Sequence, residues 1–184
     1  MKSVLISIQP KWCELIASGK KTVEVRKTRP KLKTPFKCYI YCTVGGIKKM
    51  PRDYLAENFE RGKVIGEFVC DEIYPIKVHS NYAVQNWMWY ELSRSCLSLD
   101  EVAKYVGANK TGYGWHISDL VIYDKPRELY EFHTFCTKFY DGEHCEECEY
   151  FIDGRGYEYD ESDCGCDGLK PIKRPFQSWG YVEE

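Results

Sequence analysis

The apolar residues of this chain come in short runs with a period of two. Glycine, proline or charge ends each run, and that pattern confines the chain to a fold built mainly of short strands. "SVLISI" (3–8) alternates and is rich in β-branched residues, and "KTVEVRK" (21–27), "FKCYIYCTV" (36–44) and "KVIGEFVCDEI" (63–73) behave alike. "GYGWHISDLVIYDKP" (112–126) reads as a strand pair or one long bent strand, and "RELYEFH" (127–133) as another strand. Gly112 and Gly114 suggest a bulge or a close backbone approach. Helices are few. Pro10 opens a short one through "KWCELIASG", which Gly19 stops. "WMWYELS" (87–93) reads as helical. "SLDEVAKYVG" (98–107) is a helix with Ser98 as N-cap, Glu101 completing a capping box and Gly107 as its stop. No βαβα alternation or internal repeat appears. The expected class is therefore α+β, mostly β: a small β-barrel with a few short helices.

One segment breaks the pattern. Residues 134–175 are rich in Cys, Gly and acid and have little periodicity, while "PIKRPFQSWGYVEE" (171–184) returns to apolar–aromatic spacing and adds a last strand. The reading is one domain over 1–184, with 134–175 an insert between two barrel strands. A hydrophobic fraction of 43% with 15% aromatics suffices for a core. No apolar run nears the length of about 18 residues that crosses a bilayer, and the amino terminus does not have the form of a signal peptide.

Charge is unevenly placed. Residues 1–63 hold 15 Lys/Arg against 5 Asp/Glu, whereas 141–167 hold 1 against 11. Such asymmetry suits an anionic partner for the first third, or contact between the basic and acidic stretches within the fold. The basic side chains concentrate in "GKKTVEVRKTRPK" (19–31). There Thr22, Glu24 and Arg26 share a strand face, and Lys21 reaches them if the strand begins only after it. Arg suits bidentate contact with a phosphate or base edge. Lys27, Arg29, Lys31 and Lys33 would follow a phosphate backbone. Tyr39, Tyr41, Trp87, Trp89, Tyr113 and Trp115 could offer stacking faces, although each alone is more often core than platform. His116 reads as a hydrogen-bonded core or edge histidine, not a catalytic base.

Gly19, Lys21, Glu24 and Arg26 spell G-x-K-x-x-E-x-R. With "SIQPKWCELIASGKKTVEVRKTRP", "KVIGEFVCDEI", "YGWHISDLVIYDKPREL" and the closing "PFQSWGYVEE", the chain resembles the ASCH domain family of phage and bacterial type, a branch of the PUA-like superfamily. The resemblance covers roughly residues 1–133 and 170–184. It implies a PUA-like barrel with a cleft between barrel and first helix, lined by Lys21, Glu24 and Arg26, with RNA, a nucleotide or a modified nucleoside as ligand. It also implies an alternative. Some relatives hydrolyse N4-acylated cytidine nucleosides and one has been described as a ribonuclease, so Lys21 could act as base or nucleophile beside Glu24. The deacylating relatives carry threonine where this chain has Glu24, and here the nearby strand hydroxyl is Thr22, two residues early. That departure favours binding over hydrolysis. Glu67 is the candidate for their distant glutamate. Related phage-type proteins often end in a Trp-Cys pair, and here Gly180 follows Trp179.

Ten cysteines without a secretory signal suggest a reducing, cytoplasmic setting. Cys13, Cys38, Cys42, Cys70 and Cys96 sit among apolar residues and read as core. The rest fall between 136 and 166. Cys145-x2-Cys148 is a knuckle spacing, and Cys164-x-Cys166 follows after a 15-residue gap. The four thiolates suit one structural zinc ion, with Cys136 able to replace one of the last two. Four sulfurs leave no open position for catalysis. An adaptor role for the acidic insert is a third functional class.

Overall fold

A computed structural model describes residues 2–44, 61–79, 92–135 and 169–183. The strands are β1 (Lys2–Ile8), β2 (Val23–Arg26), β3 (Phe36–Cys42), β4 (Val64–Cys70), β5 (Ile73–Lys77), β6 (Thr111–His116), β7 (Ser118–Arg127), β8 (His133–Phe135), β9 (Leu169–Pro171) and β10 (Trp179–Glu183). Alongside them run the α-helices α1 (Pro10–Ala17) and α2 (Leu99–Val106). The fold is α+β and mostly β, as the alternating runs predict.

The expected closed barrel is instead two sheets among the described residues. Seven strands run in the order β7-β4-β3-β1-β10-β8-β9, and three in the order β2-β6-β5. The cause lies at two corners. "KVIGEFVCDEI" is not one strand, because β4 ends at Cys70 and β5 starts at Ile73 in the other sheet. Likewise β6 passes into β7 at Ile117, changing sheet. The corners are tied together, since the His116 N–H donates to Glu72 O (2.9 Å) and the Ile117 N–H to Thr22 O (2.9 Å). Polar Asp71 and Glu72 are exposed there, where a continuous strand would have buried one of them.

β1 is central. Residues 3–8 are all buried, and β1 pairs parallel with β3 and antiparallel with β10. Three apolar clusters follow from this layout. One joins β1, β3 and β4 to α1 and to Trp115 of β6, whose ring meets Phe36 (5.9 Å) and Trp179 (5.8 Å). A second packs Val23, Val25 and Ile76 against Val102, Ala103 and Val106 of α2. The third covers the other face of the large sheet with Leu129, Phe132 and Ile172. The third cluster explains why "RELYEFH" is not a strand. Residues Leu129–Glu131 coil into a 3-10 turn that drops Leu129 and Phe132 toward Tyr39, and the stretch pairs only at its ends, through Arg127 at the close of β7 and through His133–Phe135.

α2 begins as its sequence predicts. Ser98 Oγ accepts from the Glu101 N–H (3.2 Å), and Glu101 Oε2 accepts from the Ser98 N–H (2.8 Å). Gly112 and Gly114 are close-approach positions: an added Cβ would lie 2.6 Å from Val106 at the first and 2.4 Å from the Tyr74 ring at the second. Cys13, Cys38, Cys42 and Cys70 are buried, but Cys96 is half-buried, in a left-handed turn (φ 56°) whose Sγ donates to Lys20 O. The edges of the 134–175 segment pair as β8 and β9, and residues 136–168 lie outside the described part, as do 80–91 with most of "WMWYELS". Among the described residues, no helix is long and apolar enough to cross a membrane.

Candidate functional site

The end of α1 positions the site. Gly19 adopts φ +71°, a left-handed conformation that costs little without a Cβ, so the chain reverses and the Lys21 N–H donates back to Leu15 O (2.9 Å). Strand β2 therefore starts two residues after Lys21. The lysine is free of the strand's alternation and turns onto the face of Glu24 and Arg26. Its Nζ lies 3.2 Å from Glu24 Oε2 and donates to Ser95 O (2.6 Å), with the Trp12 ring 5.2 Å away. The other carboxylate oxygen, Glu24 Oε1, lies 3.1 Å from Arg26 Nη2, which also donates to Ser7 O (2.7 Å). Arg26 Nη1 reaches Ser178 Oγ at 3.5 Å.

Lys21, Glu24 and Arg26 are 2%, 6% and 7% exposed. Two cations on one carboxylate leave a net charge of +1 in a nearly dry place, where charge acts far more strongly than on a surface. Arg26 Nε is buried and has no hydrogen-bond partner among the described residues. The triad forms the floor of a cleft of about 510 Å³, whose walls include Trp12, Thr43, Tyr105, Gln177 and Ser178. Burial pushes the Tyr105 phenol up from its ordinary range, with the Arg26 charge opposing and the Glu24 charge adding to the shift.

The other predicted site residues divide. Lys27 Nζ sits 5.1 Å from the Tyr105 ring at the cleft edge. Arg29 does not line the cleft. It stacks near Tyr113 (5.8 Å) and helps line a second cavity. Tyr39, Tyr41 and Trp115 are core, 3%, 4% and 0% exposed, so they are not stacking platforms, whereas the half-buried Trp12 and the exposed Tyr105 line the cleft. Thr22 turns away and accepts from Arg94 Nε (3.0 Å). Glu67 is absent from the cleft wall and is held by Tyr123 Oη (2.5 Å) and Lys37 Nζ (3.4 Å). Cys136, Cys145, Cys148, Cys164 and Cys166 lie outside the described residues. Among the described ones, no group of three or more His, Cys, Asp or Glu is placed to hold a metal.

Sequence reasoning missed the 92–97 segment, Tyr105 and Ser178. Arg94 O accepts from the N–H groups of Thr22 (3.0 Å) and Val23 (3.2 Å), so this segment fastens the start of β2 and supplies the Ser95 carbonyl to Lys21. No local signal marks such a contact from more than seventy residues away. His116 is satisfied, as its strand position suggests. Its Nδ1 pairs with Asp71 Oδ1 (2.6 Å) and its Nε2 contacts Arg94 Nη2, an arrangement in which Nε2 accepts and Nδ1–H donates.

Burial works upward on Asp71, but the His116 hydrogen bond, with further bonds from backbone N–H groups, brings its carboxyl below the usual range. A depressed carboxyl adds stability above the unfolded pKa of about 3.9, and that contribution fades as pH falls through the lower folded value. Thermal melts from pH 7 to 2.5 should therefore show Asp71→Asn below wild type at neutral pH, with the gap closing below about pH 4. A gap constant with pH would contradict the pairing.

The model of the family described as the ASCH domain matches residues 6–92. A crystal structure of ASCH from Zymomonas mobilis is similar at 23% identity and TM-score 0.51, over 69% of this chain and 73% of that one. A mutant of the same protein matches at 24% identity and TM-score 0.50, over 70% and 77%. At these identities the likeness concerns the fold. No curated protein matches the sequence.

Proposed function

We propose, from the premise that this chain carries an ASCH domain over residues 6–92, that it binds single-stranded RNA or a nucleotide in the cleft above Lys21, Glu24 and Arg26. One observation carries the reading: a buried triad of net charge +1 opens onto a cavity large enough for a base and its sugar, with Trp12 and Tyr105 in its walls. Glu24, already fixed by two cations, retains lone pairs for an amino group on a base edge. Anisotropy titration of a labelled single-stranded RNA decamer tests the reading. Affinity should fall steeply between 50 and 200 mM salt. Absence of binding, or binding indifferent to salt, would refute it.

Hydrolysis of N4-acylated cytidines or of RNA has less support. Both partners of Lys21 Nζ are acceptors, so Nζ serves as a donor, and the Thr22 hydroxyl is occupied by Arg94.

We also propose a structural zinc ion on Cys145, Cys148, Cys164 and Cys166, on the strength of their spacing. An acidic stretch with little apolar content gains order from such a staple. Elemental analysis of untagged protein should find about one zinc per chain. A folded, metal-free chain would exclude it.

A further inference from the structure

A second cavity, of about 420 Å³, is lined by residues 29–34 and Ile73. Its rim is cationic. Arg29, Lys31 and Lys33 are exposed, and none of them pairs with a carboxylate among the described residues. A random basic loop would be floppy, but this one is held at several points. Trp179 Nε1 donates to Thr28 Oγ1 (3.0 Å), the Lys31 backbone N–H donates to Tyr181 Oη (2.8 Å), and the Arg29 guanidinium rests near the Tyr113 ring (5.8 Å). Pro30 is buried, with its φ fixed by the ring. These ties reduce the ordering cost of gathering three cations on one patch, which is what preorganised binding of an anion needs.

From this we infer that Arg29, Lys31 and Lys33 form a second anion site, one that takes a phosphate group. Its place follows from the chain. Arg29 is three residues beyond Arg26, so their Cα atoms are at most about 11 Å apart. An RNA with a base in the cleft therefore reaches the loop with a neighbouring phosphate. That bridging rests on the proposed cleft function, whereas phosphate binding by the loop does not. It makes the preferred ligand an oligonucleotide over a lone nucleoside.

The test uses the full chain and two probes. In an amide NMR titration with sodium pyrophosphate, resonances of residues 29 and 31–34 should shift saturably, and should still do so in Arg26→Lys. They should stop shifting in Arg29→Ala/Lys31→Ala/Lys33→Ala. Equal shifts with sodium chloride of matched ionic strength, or with polyglutamate, would overturn a phosphate site. With the RNA decamer, the triple variant should lower the slope of log K against log salt by about 0.7, the share of one phosphate contact on a single strand. An unchanged slope would overturn the bridging. Should wild type fail to bind the decamer at all, the cleft reading falls while the pyrophosphate arm still decides the loop.

Discussion

Glu24→Ala should lower the free energy of unfolding by about 3–5 kcal/mol, the cost of removing one partner from a buried ion pair. Its carboxylate is the only acidic partner of Lys21 and Arg26 among the described residues, and the side chain is 8% exposed. Truncation leaves two cations beside each other, away from water, with Ser95 O, Ser7 O and, at 3.5 Å, Ser178 Oγ as their remaining acceptors. An exposed pair would cost about 0–1 kcal/mol instead, so the magnitude separates a buried triad from a charged edge strand. Glu24→Gln keeps the volume and an oxygen acceptor and should cost less. Urea unfolding measures both, and a shifted midpoint with unchanged slope identifies a true loss of stability. A loss under about 1 kcal/mol for Glu24→Ala would place the triad in solvent.

The triad was legible in the sequence because its geometry is local. Gly19 marks a helix stop, the strand period puts Glu24 and Arg26 on one face, and the same stop frees Lys21 from that period. The capping box at Ser98 and the close approaches at Gly112 and Gly114 are local too, and they appear where expected. What could not be read depends on partners distant in sequence. Ser95 and Arg94 approach β2 from another segment, and Ser178 arrives from the stretch before β10. The period of two also hides which strand a residue pairs with. Tyr39 and Tyr41 looked available for stacking, but they lie under Leu129 and Phe132 because the large sheet is covered on both faces. Likewise "KVIGEFVCDEI" keeps a strand composition through its corner, and only the paired turns at Glu72 and Ile117 show where one sheet gives way to the next.

Arg26→Lys should weaken binding of the RNA decamer by about 10- to 100-fold while leaving its salt slope unchanged. The substitution keeps the positive charge, so release of counterions by the ligand is the same. It loses the planar fork. Arg26 Nη2 serves Glu24 and Ser7 O, Nη1 reaches Ser178, and the buried Nε has no partner among the described residues. An ammonium can satisfy Ser7 O and Glu24, but it has nothing left to donate from the positions of Nε and Nη1. One or two charge-assisted hydrogen bonds of about 1.5–3 kcal/mol are at stake, which sets the size of the loss. The readout is specific, because the basic-loop variant changes the slope and Arg26→Lys does not. A variant that binds like wild type would mean that the ligand senses Arg26 as a point charge, and that the cleft floor contributes field without directional recognition.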